Sequence, residues 1–128
     1  MQLKALLLDL DGTLVDTAPD MVGTLNRILK RHGEAQVNFS DAGKLVSNGA
    51  KALLDLGFPS ILTDKESAQL IQEFLSDYAE HVSDQSIIYD GMQEVLETCL
   101  ENNLRWGVVT NKPLELSRSL LKGLNLLD

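Results

Sequence analysis

Residues Lys4–Thr13, KALLLDLDGT, decide how the rest of the chain is read. The run from Leu3 to Leu10 is short, apolar and closely followed by Gly12. This is the pattern of a strand buried on both faces in a helix-covered parallel sheet. Residues two apart on an extended chain point to the same side, so Asp9 and Asp11 are expected to converge at the end of this strand. Two carboxylates without a basic neighbour repel each other unless a divalent cation binds them. One carboxylate of such a pair can attack a phosphoryl group, while the other donates a proton to the leaving oxygen and later takes one from water. Gly12 lets the backbone turn sharply and approach a ligand, and Thr13 adds a hydroxyl donor. A lone D-x-D pair can equally be a solvated turn. A calcium loop is excluded, because the glycine follows the second acid directly and a strand, not a helix, precedes it. Phosphate-loop motifs fail too: Gly43-Lys44 lacks both the following Ser/Thr and the upstream Gly.

Beyond this stretch the pattern turns helical. Met21, Val22, Leu25, Ile28 and Leu29 form a stripe between Thr17 and Gly33, with Pro19 as a start signal and Gly33 as a stop. Residues 34–58 suggest two short helices broken at Ser47-Asn48-Gly49-Ala50. A longer helix is expected from Asp64, as its N-cap, to His81, with Ile71, Phe74, Leu75, Tyr78 and Val82 on one face. Another is expected from Gly91 to Asn102. A second strand-like run, Leu104–Thr110, ends in the polar segment Thr110-Asn111-Lys112-Pro113, and a last helix covers Leu114–Lys122 and stops at Gly123. The order implies an α/β fold, an open parallel sheet interrupted by a helical insertion. Ligands of such sheets sit outside the carboxyl ends of the strands. Two strands fall short of the roughly 4–6 that sheets usually have, so either another chain supplies the remaining strands or, as the favoured expectation, the chain is part of a longer one that continues past Asp128.

The chain has 128 residues, 44% hydrophobic and 23% charged, with 11 Lys plus Arg against 19 Asp plus Glu and a net charge of −8. That balance opposes a nucleic-acid binder working by phosphate neutralisation, and leaves room for a small phosphorylated substrate at a locally positive site. Cys99 is the single cysteine, which excludes an internal disulfide and thiol-rich zinc sites; it lies on a helical apolar stripe and reads as core. His32 and His81 are far apart and are expected at helix ends. No apolar run approaches the roughly 20 residues of a membrane span, and Asp9 interrupts any signal-peptide core. No membrane partner is expected, and a cytoplasmic location follows. Trp106 opens the second strand and is expected to be a packing residue or a half-exposed surface aromatic. Asn38-Phe39-Ser40 fits a glycosylation sequon that a cytoplasmic chain would never present to that machinery.

Asp9–Thr17, DLDGTLVDT, resembles the first motif of the haloacid dehalogenase (HAD) superfamily in its phosphatase form, and Val109–Pro113, VTNKP, is similar to its second. The segments DTAPD, YDGM and WGVVTNKP narrow the resemblance to phosphoglycolate phosphatases and N-acetylmuramic acid 6-phosphate phosphatases. The resemblance covers essentially the whole chain. It implies a Rossmann-like (Rossmannoid) core, incomplete here, over residues 1–15 and 84–128, with an all-helical cap over residues 16–83 that closes over the site. It implies a Mg²⁺-dependent phosphomonoester hydrolase acting on a small phosphorylated metabolite. Asp9 would form an aspartyl-phosphate and bind the metal; Asp11 would be the general acid/base and bind the metal through its main-chain carbonyl. Thr110 would hold the transferring phosphoryl group, helped by the N–H groups of Gly12 and Asn111. Thr13 and Lys112 complete the phosphate side, and Ser47, Asn48 and Lys51 would face the substrate from the cap. The plain alternative for those three is an ordinary helix junction with a solvated lysine. The family's third motif supplies a lysine and its fourth one or two metal-binding acids; neither follows Gly123, so the chain alone is expected to be inactive. Lys112 is a weak stand-in for that lysine. Competing expectations are a sugar phosphatase, a phosphomutase and a non-catalytic binding module of the same fold.

Overall fold

The computed structural model describes residues 2–126; Leu127 and Asp128, and any continuation past them, lie outside the described residues. The first apolar run forms β1 (Ala5–Leu8), the second forms β4 (Arg105–Val108), and the two pair in parallel with Ala5 opposite Arg105 and Leu8 opposite Val108. Both strands are shorter than expected from Leu3–Leu10 and Leu104–Thr110. At Asp9 the chain folds back on itself, with the Leu14 N–H donating to the Asp9 carbonyl and the Val15 N–H to that of Leu10. Burial on both faces is also corrected. Leu8 and Leu10 are buried, but Leu7 is 67% exposed and Leu3 74%, because β4 is the only strand paired with β1 among the described residues.

Four helices fill the interval between the strands: α1 (Ala18–Arg31), α2 (Phe39–Gly43), α3 (Ala50–Gly57) and α4 (Asp64–Ala79). α1 has Pro19 in its first turn and ends at the cap residue His32, and its stripe is buried, with Leu25, Ile28 and Leu29 fully inaccessible. The first of the two expected short helices sits early, because the Asn38 side chain caps α2 by accepting the Asp41 N–H at 3.2 Å; Val46–Asn48 forms only a 3₁₀ turn. α3 closes on α1 through Gly57, where a Cβ would lie 2.9 Å from Leu29 Cδ1. The N-cap of α4 is Thr63, not Asp64. Thr63 Oγ1 accepts the Glu66 N–H and Glu66 Oε1 accepts the Thr63 N–H, both at 3.1 Å, a reciprocal box that a Glu or Gln three residues after the cap can close. α4 stops at Ala79, so His81 lies in the following turn against Asp84. α5 (Met92–Glu101) and α6 (Leu114–Gly123) complete the chain, with Cys99 buried on α5.

A second strand pair was not foreseen: β2 (Val15–Asp16) runs antiparallel to β3 (Ile87–Ile88). Two residues per strand are too few to leave a period in the sequence. This pair forms a neck where the chain leaves for the helices and returns from them. Beside it the Asp20 carboxylate, 5% exposed, accepts the N–H groups of Gln85 and Ser86 at 2.8 Å each and the Ser86 hydroxyl at 2.7 Å. On the far side of α1, Asp77 of α4 accepts Arg27 Nε at 2.9 Å and is also bonded by Arg31.

Asp20→Ala leaves two main-chain donors without a partner, and is expected to lower the unfolding free energy by about 2–4 kcal/mol, read as a lower midpoint in urea at unchanged slope; a loss below about 0.5 kcal/mol contradicts this account. Burial pushes the Asp77 carboxyl up, but the hydrogen bonds and charges of Arg27 and Arg31 outweigh it and hold the pKa below its ordinary value. A lowered carboxylate stabilises the fold above the unfolded-state value of about 4 and loses that contribution as pH falls through the folded-state value. Both arginines are substantially exposed, so Asp77→Asn is expected to cost only about 1 kcal/mol at pH 7, with the gap to the parent chain closing in denaturation curves taken below about pH 4.

Candidate active site

The parallel register of β1 and β4 sets two loops side by side at the carboxyl ends of the strands: Asp9–Leu14 after β1 and Val109–Pro113 after β4. The first loop turns at Gly12, whose φ of +82° favours glycine, and is closed by the Gly12 N–H donating to the Val15 carbonyl at 2.9 Å. Asp9 is exposed, and one of its carboxylate oxygens accepts the Leu10 N–H at 2.9 Å. Asp11 is 6% exposed, and its Oδ1 accepts both Thr17 Oγ1 at 2.8 Å and Lys112 Nζ at 2.7 Å. The two acids flanking Leu10 therefore sit in different surroundings, one in solvent and one in a buried ion pair.

Lys112 reaches Asp11 across a sequence separation of 101 residues, and its side chain is only 4% exposed. Burial pushes its pKa down, and the charge and hydrogen bond of Asp11 push back without cancelling the shift. In the same loop Thr110 Oγ1 accepts the Lys112 N–H at 3.1 Å, which leaves the Thr110 O–H free to donate. The expected stand-in lysine thus faces Asp11, the proposed acid/base, and not Asp9.

A cavity of about 260 Å³ opens between these loops and the helices. Asp11, Thr110, Asn111 and Lys112 line its polar end, and Ser47, Asn48 and Lys51 line it from the 3₁₀ turn and the start of α3. Asp9, Gly12 and Thr13 are not among its walls, although a Cβ on Gly12 would come within 3.9 Å of Ser47 Cβ. Lys51 spends its charge elsewhere: Nζ pairs with Asp55 Oδ2 at 2.8 Å, with both side chains largely exposed. The opposite wall is apolar, formed by Ile71, Phe74 and Leu75 of α4 with Met21 and Val46.

Two residues of the site escaped the sequence reading. Thr17 is fully buried and orients Asp11 through its hydroxyl; its only signal is its place at the end of DLDGTLVDT. Tyr78 reads as one more residue of the α4 stripe, yet its ring lies under Lys112 Nζ at 4.5 Å from the centroid. Among the described residues no three of His, Cys, Asp and Glu gather as a metal cluster. Among the loop oxygens that accept no hydrogen bond from the described residues, the second carboxylate oxygen of Asp9 and the main-chain carbonyl of Asp11 could serve a hard cation. Such a donor pair fits a cation that keeps most of its ligands as water or substrate oxygens. No helix among the described residues is long and apolar enough to cross a membrane.

A parallel strand pair, a helical insertion after the first strand and an acid loop beside a T-N-K-P loop define a class of α/β proteins with a site at the strand ends. The chain belongs to the haloacid dehalogenase-like hydrolase family, whose profile matches residues 6–128. It is 40% identical over 124 residues to the N-acetylmuramic acid 6-phosphate phosphatase of Pseudomonas aeruginosa, covering 97% of this chain and 55% of that protein. It is 40% identical over 121 residues to the phosphoglycolate phosphatase of Caulobacter vibrioides, covering 92% of this chain and 51% of that protein. The chain thus spans about half the length of the curated relatives it matches. Among solved structures it is similar to a predicted phosphoglycolate phosphatase from Haemophilus somnus, with a TM-score of 0.84 at 28% identity, covering 98% of this chain and 59% of that one.

Burial, then the charges of Asp11 and Asp20, push the Tyr78 phenol far above its ordinary value. A phenol raised in the folded state contributes stability below about pH 10 that is lost as pH rises further, since the unfolded chain releases its proton first. In an absorbance titration at alkaline pH, Tyr89 is expected to ionise in the native chain and Tyr78 only on unfolding. Ionisation of both phenols before unfolding contradicts this placement.

Proposed function

We propose that these residues form the phosphate end of a phosphomonoester hydrolase that acts on a small phosphorylated metabolite. The observation that carries the reading is the Asp11–Lys112 pair at 2.7 Å, which joins the two strand-end loops at the floor of the cavity. Residues 16–83 act in this reading as the cap and residues 1–15 with 84–128 as the core. The exposed Asp9 carboxylate attacks phosphorus in line with the leaving oxygen, giving an aspartyl-phosphate. Asp11 gives the leaving oxygen its proton and later takes one from the attacking water. Thr110, through its free hydroxyl, and the Asn111 N–H hold the phosphoryl oxygens as charge develops on them, whereas the Gly12 N–H is engaged by the Val15 carbonyl and is not available for that role. Lys112 and Asp11 both line the cavity, so an arriving phosphate monoanion competes with Asp11 for the ammonium, and the freed carboxylate takes up the proton of that monoanion before passing it to the leaving oxygen. A divalent cation, Mg²⁺ in our reading, would be held by Asp9 and the Asp11 carbonyl and would neutralise the phosphate against the incoming carboxylate.

The apolar α4 wall favours a second substrate reading. The two-carbon phosphoglycolate would present its carboxylate to Ile71, Phe74 and Leu75, and Lys51 is engaged with Asp55. A phosphorylated amino sugar, as in the name of the Pseudomonas aeruginosa relative, offers C–H surface to the same wall.

In the protein as encoded, with Mg²⁺, Asp9→Asn is expected to reduce phosphate release from p-nitrophenyl phosphate to background, and Asp11→Asn by at least about 100-fold. Turnover retained by Asp9→Asn sinks the mechanism. Phosphate release from phosphoglycolate and from N-acetylmuramic acid 6-phosphate, measured side by side, separates the two substrates.

A further inference from the structure

Lys112 is held from two sides by two parts of the chain. Its ammonium meets Asp11 Oδ1 at 2.7 Å and Met21 Sδ at 3.8 Å, and it stands 4.5 Å from the ring centroid of Tyr78. With a side chain 4% exposed, it has little access to water, and the face of the phenol ring takes the place of solvent on that side. An aromatic face attracts a cation through its quadrupole, most strongly when both are desolvated. Tyr78 is itself 1% exposed, and its hydroxyl makes no hydrogen bond among the described residues, so its ring and not its oxygen makes the contact that matters. Phe74 packs beside it with centroids 6.1 Å apart, which fixes the ring from the α4 side. The acid belongs to the loop after β1, the lysine to the loop after β4, and the ring to the helical insertion.

We propose that Tyr78 is the positioning residue by which the helical insertion holds Lys112 at Asp11, so that seating α4 over the cavity seats the ammonium at its phosphate end. The proposal rests on the reading of Asp11 and Lys112 as that phosphate end. An aliphatic residue at position 78 would fill the space without offering a face to the cation. Phenylalanine would keep the face and lose only a hydroxyl that bonds to nothing.

Two measurements on the protein as encoded test this without turnover: the proton shifts of the Lys112 side chain by NMR, assigned with Lys112→Met, and the dissociation constant for inorganic phosphate. The parent protein is expected to show the Lys112 ε-protons moved upfield by the ring current. Tyr78→Phe is expected to keep that shift and to hold phosphate affinity within about twofold. Tyr78→Leu is expected to abolish the shift and weaken phosphate binding by about 3- to 30-fold. Random-coil ε-proton positions in the parent overturn the proposal, as does equal damage in the Phe and Leu variants, or a Leu variant that binds phosphate like the parent. If the Leu variant fails to fold, the parent shift and the Phe variant decide. A protein that releases no phosphate from any ester but shows the Tyr78-dependent shift and phosphate affinity fails the hydrolase reading and supports this one.

Discussion

The Asp20 carboxylate, buried at the start of α1 and bonded to the N–H groups of Gln85 and Ser86, ties the chain's departure from the strand layer to its return. The two ends of the helical insertion meet there across a sequence separation of 66 residues, beside the β2–β3 pair. Because the carboxylate is nearly inaccessible and its partners are main-chain donors, removing it from the closed joint leaves those donors unpaired and away from water, which costs about 1–3 kcal/mol for each. This neck sets where α1 leaves the strands, and α4, packed on α1 and α3, walls the cavity. The arginines that grip Asp77 then set α4 against α1 on the outer side.

The electrostatics of the site follow from that placement. A chain with a net charge of −8 brings a lysine into a nearly dry pocket beside an acid, where the ion pair, a thioether and an aromatic face replace its hydration. Burying a charge without partners is expensive, and Lys112 has its partners from three different segments. The same arrangement separates Asp9 from Asp11: one carboxylate stays in solvent and the other is held by Thr17 and Lys112. Two acids two residues apart in sequence thereby sit in different surroundings, as the two roles proposed for them require.

Much of this was legible in the residues. The apolar runs ending in D-x-D-G-T and T-N-K-P located both strands, and the stripe Met21–Leu29 located α1. Their ends were less legible. The strands stop early because Asp9–Val15 folds into its own hydrogen-bonded turn, and α4 begins one residue early because Glu66 completes a box with Thr63 and not with Asp64. The expected burial of β1 on both faces assumed neighbours that the described residues do not supply, which leaves Leu3 and Leu7 exposed.

The sequence by itself determined the local elements and the residue types at the strand ends, because apolar period, caps and turn residues act over a few positions. It also carried the family, through two motifs whose spacing requires a helical insertion. Tertiary structure alone decided which charges meet. Lys112 lies next to Asp11 rather than Asp9, and Tyr78 becomes the floor under a buried cation instead of one more core residue. Those contacts join segments tens of residues apart, and they depend on the register of β1 against β4 and on the seating of α4, neither of which is encoded in a local pattern.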